Sequence, residues 1–247
     1  MRSGNPALSA KSFKVKNKSG EAMTIQGAAN KTFLLLLLVL APAAYVWNYV
    51  YQGLNDGADM TLVPYFMYGG IGGGLLFAII TIFKKKWAPI TAPLYAIAEG
   101  FFLGGISAFM KQKFPGIVPQ AVGLTFGTLF ALLAAYKSGL IKATENFKLG
   151  VTAATGGIFL IYLVSFILGF FGIRVSFIHE SGLIGIGFSA FVVIIAALNL
   201  VLDFDFIEEG AERGAPKYME WYAAIGLMVT MIWLYIEILR LLAKMRK

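Results

Sequence analysis

Residues 181–214 read SGLIGIGFSAFVVIIAALNLVLDFDFIEEGAERG, in which twenty-two uncharged residues, 181–202, are followed at once by Asp203. About 20 apolar residues in helical geometry cross the hydrocarbon core of a bilayer, so this run predicts a membrane span. Lysine and arginine are absent from its end, and Glu208, five residues after Asp203, opens a hydrated charge cluster. Asp203 therefore falls at or just inside the boundary of the span. An ionisable side chain there is costly to keep charged and marks a functional site by default. The plainer alternative is a helix end in water.

Working outward, the rest of the chain has the same character. Of its 247 residues 58% are hydrophobic and 14% charged, with a mean hydropathy of +0.75. Those values predict an all-α polytopic membrane protein, not a soluble domain. The chain has no cysteine, which excludes disulfides, thiolate nucleophiles and cysteine metal sites, and its single histidine, His179, cannot build a metal site alone. The net charge of +8 fits lysine-rich loops facing anionic cytoplasmic lipid. No interleaving of basic and aromatic residues of an RNA-binding type is present, so the bilayer is the expected partner and nucleic acid is not.

Residues 1–31 carry Arg2, Lys11, Lys14, Lys16, Lys18 and Lys31 against one acid, Glu21, and read as a basic cytoplasmic arm, largely unordered. Residues 32–247 read as a seven-helix transmembrane domain. In the first run, 32–51, LLLLLVLAPAA imitates a signal-peptide core, but the arm is too long for a signal n-region, which predicts a retained first span. Further uncharged windows are 60–83, 87–110 (interrupted only by Glu99), 114–136, 149–173 and 181–202. The seventh, 221–236, is only sixteen residues between Glu220 and Glu237 and falls short of a comfortable span.

With the N-terminus inside, seven spans place fourteen of the lysines and arginines on the inner side and seven on the outer. The positive-inside rule thus predicts a cell (inner) membrane protein with a cytoplasmic N-terminus. Glycines at 69–74, at 100 and 104, and at 182, 185 and 187 are expected where helices touch, because small residues let backbones approach.

Three acids need an account. Glu99 lies twelve uncharged residues from Lys86 and eleven from Lys111, about 18 Å from either edge, and must be protonated, paired or in water. Asn199 lies one turn before Asp203 and shares its stripe, whereas Asp205 points about 200° away, toward headgroups or Lys217. Glu237 is followed by Arg240 at i+3, a local ion pair.

The segments APLYAIAEGFFLGG and GISAF in the third span, LDFDFIEEGAERGAPKYMEWY after the sixth and the RSGNPALS start resemble the bacterial branch of the transmembrane Bax inhibitor motif family. The resemblance covers nearly the whole chain, and its most specific part is Asp203, Ile207, Glu209, Glu212, Gly214 and Tyr218. It implies a seven-helix bundle with the last helix central and a proton-sensitive calcium leak as the activity. It also implies that a sixth-helix aspartate, here Asp203, pairs with a seventh-helix aspartate and exchanges with a basic latch from the second helix, for which Lys84 is the match. An ungapped carry-over puts the partner acid on Leu227 or Met228, which are apolar. Glu237, in an LYIE sequence similar to the family's LYLD, matches only with an insertion, and Glu99 is the other candidate.

The leading functional reading is a calcium (cation) leak or transporter with Asp203, Glu99, Asn199 and Glu237 in the ion pathway and Lys84 as latch. Asp203 and Glu99 would offer hard oxygen ligands to transported calcium, and no resident cofactor is expected. The second reading is a non-conducting regulator of membrane-protein turnover that binds an inner-membrane protease, as is known for some bacterial relatives of that family. An enzyme is not expected, since no HExxH, no GxGD pair and no serine–histidine arrangement is present.

Overall fold

A computed structural model describes residues 21–56, 61–173 and 182–246. Most of the basic arm, with Arg2, Lys11, Lys14, Lys16 and Lys18, and the predicted outer loop with Arg174 and His179, lie outside the described residues. The architecture is all-α. Among the described residues seven long helices run α1 (Ile25–Asp56), α2 (Leu62–Phe83), α3 (Ala88–Lys113), α4 (Ile117–Lys137), α5 (Glu145–Phe170), α6 (Leu183–Glu212) and α7 (Met219–Met245). A single 3₁₀ turn, Lys85–Trp87, joins α2 to α3. All seven helices are long and apolar enough to cross a membrane, and the chain is a multi-pass membrane protein. The last helix is the most buried, with 61% of its apolar stretch inside the protein against 11% for α5.

Local sequence explains where the helices stop. Gly116 (φ 78°) follows Pro115 and opens α4 in the left-handed region that glycine adopts without strain. The Thr144 hydroxyl accepts the Phe147 N–H at 3.3 Å and caps α5. Gly214 (φ 61°) and Pro216 separate α6 from α7, the glycine taking the left-handed turn and the proline lacking the N–H that a longer helix needs.

Several helices exceed what counting uncharged residues predicts. The seventh runs for 27 residues, because Glu220 and Glu237, which bound the sixteen-residue window, are satisfied inside the protein and do not end the helix. The sixth continues nine residues past Asp203, so that residue lies within the helix and not at its end in water. Helix α1 likewise begins before the expected boundary at Lys31.

The described chain divides into two compact units whose boundaries fall within α6 and α7. One unit comprises Gly116–Phe206 and Val229–Lys247, and the other 21–115 with Ile207–Met228. In the second unit, α3 packs on both α1 and α2 through glycine. A Cβ on Gly104 would come within 2.6 Å of the Ala43 carbonyl oxygen of α1, and one on Gly70 within 2.6 Å of the Ala98 carbonyl oxygen of α3. Helix backbones approach this closely only where a side chain is missing. The expectation that every glycine cluster marks a contact fails at Gly69, Gly72, Gly182 and Gly187, which have nothing within 4 Å of an added Cβ. Composition alone does not say which side of a glycine-rich helix meets a neighbour.

The N-terminal segment of this unit is pinned by a compact clasp. The Met23 N–H donates to the Ala215 carbonyl at 2.7 Å and Ala22 bridges Pro216. Glu220, with no exposed surface, accepts from the Thr24 N–H and hydroxyl at 3.0 Å each and from Lys31 at 2.5 Å, and pairs with Lys217 at 3.1 Å.

Candidate functional site

Asp203 is 2% exposed, in the middle of an α6 stretch in which Leu200, Val201, Leu202, Phe204 and Phe206 are also buried. Among the described residues no hydrogen-bond donor of normal geometry reaches either carboxylate oxygen. The polar side chain facing it is Thr230 of α7. A carboxylate in such surroundings costs several kcal/mol unless a proton or a cation joins it.

Asn199, one turn earlier and also buried, is committed. Its amide nitrogen donates to the Thr155 hydroxyl of α5 at 2.8 Å and to the Ile195 carbonyl at 2.8 Å. The stripe expected from spacing is thus real in position but divided in role: Asn199 ties α6 to α5, while Asp203 faces α7.

Asp205 departs from expectation. It pairs with Lys148 of α5 at 2.6 Å, and Lys217, its anticipated partner, pairs with Glu220. The uncharged window begins at 149, yet α5 starts at Glu145 and carries Lys148 in its first turn, buried.

Glu237 forms the ion pair that its spacing predicts, and more. Arg240 donates to its two oxygens at 2.8 and 3.0 Å, and the Tyr162 hydroxyl donates at 3.1 Å. Arg240 also donates to that hydroxyl at 2.6 Å with its guanidinium over the Tyr162 ring. Lys244, one turn after Arg240, is buried and donates to the Gly185 carbonyl at 2.9 Å and the Ser189 hydroxyl at 2.8 Å. Its i+4 spacing from Arg240 on an apolar helix was the available signal.

Glu99 and Lys84 belong to the second unit. Glu99 is partly buried, with the Tyr95 hydroxyl as hydrogen-bond partner and its carboxyl seated in a notch left by Gly74, where a Cβ would come within 2.5 Å of Oε1. Lys84 ends α2, exposed, with its ammonium over the Trp87 ring at 4.3 Å. Among the described residues no three of histidine, cysteine, aspartate and glutamate are grouped so as to hold a metal ion. Glu220 and Lys31 were missed as a site because one bounds a short apolar window and the other sits in a basic arm. Only the fold brings them together.

A family model described as Bax inhibitor 1 like matches residues 5–247. Neither the curated proteins nor the solved structures contain a match.

Proposed function

Because the chain belongs to the Bax inhibitor 1 like family, we propose that it is a pH-sensitive cation leak, with calcium as the transported ion and Asp203 as the gating carboxylate. The observation that carries this reading is the burial of Asp203 with no donor of normal hydrogen-bond geometry on either oxygen among the described residues. An ionised Asp203 holds a cationic partner or a passing cation, and protonation removes that attraction, so acid opens the path.

In this reading Asn199 fixes α6 beside the path, and Glu99 in its Gly74 notch is a second carboxylate that a cation can meet. Lys84 is the latch that the family resemblance nominates. Glu237 retains Arg240 and shapes the end of α7. The family is not known as an enzyme family, and the proposed activity needs no catalytic residue and no resident cofactor. The protein would lie in the cell (inner) membrane with its N-terminus in the cytoplasm.

The test is calcium flux into proteoliposomes that contain the purified chain, followed by an entrapped indicator across a series from alkaline to acidic pH. Parent flux rises in acid, whereas Asp203→Asn, which mimics the protonated state, gives a larger leak nearly independent of pH. Identical flux and pH profile in parent and Asp203→Asn vesicles would overturn the reading and favour a non-conducting regulator that binds an inner-membrane protease.

A further inference from the structure

Two polar rungs join α5 to α6, and Asp203 lies between them along α6. One is the Thr155–Asn199 hydrogen bond, the other the Lys148–Asp205 ion pair. From Asn199 to Asp205 is about 9 Å along a helix axis, and from Lys148 to Thr155 about 10 Å, at 1.5 Å per residue. The two helices thus keep register across both rungs. The first rung is neutral. The second takes a lysine with a 7% exposed side chain and an aspartate at 25%, so it is mostly desolvated. Glu145, at 3.9 Å from the same ammonium, is 65% exposed.

We infer that the Lys148–Asp205 ion pair is a bolt that holds α6 in the rotation aiming Asp203 at α7 and shuts solvent out from the end of the seam nearer the α6 C-terminus. Side chains at 203 and 205 leave a helix about 200° apart. Holding Asp205 against α5 therefore fixes where Asp203 points. Its neighbours support that role: the Thr152 hydroxyl donates to the Lys148 carbonyl at 2.5 Å, which secures the first turn of α5, and Tyr136 packs on Phe204 with ring centroids 5.9 Å apart. Removing Lys148 leaves Asp205 without its cation, and removing Asp205 leaves the buried ammonium with only the more distant, exposed Glu145, and either loss draws in water or turns a side chain out. In either case the seam opens toward Asp203. Lys148 is a positioning residue. The consequence for cation flux rests on the reading of Asp203 as the gate, but solvent entry to the seam does not.

The chain has no cysteine, so a single Val151→Cys, at a buried position one turn from Lys148 on α5, reports solvent entry through its rate of modification by a membrane-impermeant thiol reagent. In that background Lys148→Met raises the rate about five- to tenfold, Asp205→Asn does the same, and Lys148→Arg, which keeps the charge, leaves it slow. If Lys148→Met fails to fold, the nearly isosteric Asp205→Asn decides. An unchanged rate in folded Lys148→Met or Asp205→Asn overturns the bolt. In flux measurements at neutral pH, Asp205→Asn raises the leak in the parent and adds nothing in the Asp203→Asn background. Parent vesicles that pass no calcium at any pH would refute the gate, while the labelling rates would still decide the bolt.

Discussion

Replacing Gly27 with alanine tests the clasp between the N-terminal segment and the start of α7. The added methyl would overlap Oε1 and Cδ of Glu220 and come within 2.5 Å of Oε2. A carboxylate is the far end of a side chain and can withdraw, but this one has no exposed surface to withdraw into and is held by Thr24, Lys31 and Lys217. Hydrogen bonds to a charged group contribute about 1.5–3 kcal/mol each. The lysines, at 21% and 46% side-chain exposure, are discounted for solvent screening, so the main loss is the pair of bonds from Thr24. Displacing the carboxylate then costs about 3 kcal/mol, against about 0.5–1 kcal/mol returned by alanine over glycine in a helix. At about 2–4 °C per kcal/mol for a chain of this size, Gly27→Ala melts about 5–10 °C below the parent in detergent. Gly69→Ala, on α2 with nothing within 4 Å, is the internal control and leaves the melting temperature unchanged or slightly raised. Thermal melts followed by circular dichroism read both. A Gly27→Ala melt within about 1 °C of the parent refutes the clasp.

Other substitutions probe single contacts. Gly104→Ala drives a Cβ to 2.6 Å from the Ala43 carbonyl oxygen and 2.8 Å from its Cα, backbone atoms that cannot yield, so the melting temperature falls by an overpacking cost of about 1–3 kcal/mol, whereas Gly127→Ala is silent. Arg240→Ala leaves the buried Glu237 with Tyr162 and Trp233 as partners and, because Arg240 is 38% exposed, destabilises by about 1–3 kcal/mol, and combining it with Glu237→Gln recovers much of the loss in the same melts. Glu99→Gln keeps the fold and melts close to the parent at neutral pH, because Tyr95 and the Gly74 notch accept an amide of the same shape. A large loss there would show a charged, paired Glu99.

Six of the spans, the all-α class and the membrane environment were legible in the sequence, because each follows from runs of uncharged residues long enough to cross a bilayer, whereas the sixteen uncharged residues of the seventh left its crossing open. The i,i+3 pair of Glu237 and Arg240 was legible for a similar reason, since one helix turn brings those positions together whatever surrounds them. The tertiary structure decided what each charge meets. Asp205 goes to Lys148 and not Lys217, Glu220 goes to Lys31 across 189 residues of sequence, and Lys244 turns inward to Gly185 and Ser189. It also decided the length of α7, because a charge ends a hydrophobic span only when water must solvate it, and Glu220 and Glu237 find their partners inside the protein. Span counting uses periodicity and hydropathy, which are properties of a segment. Pairing depends on which faces of distant helices meet, and no single segment carries that information.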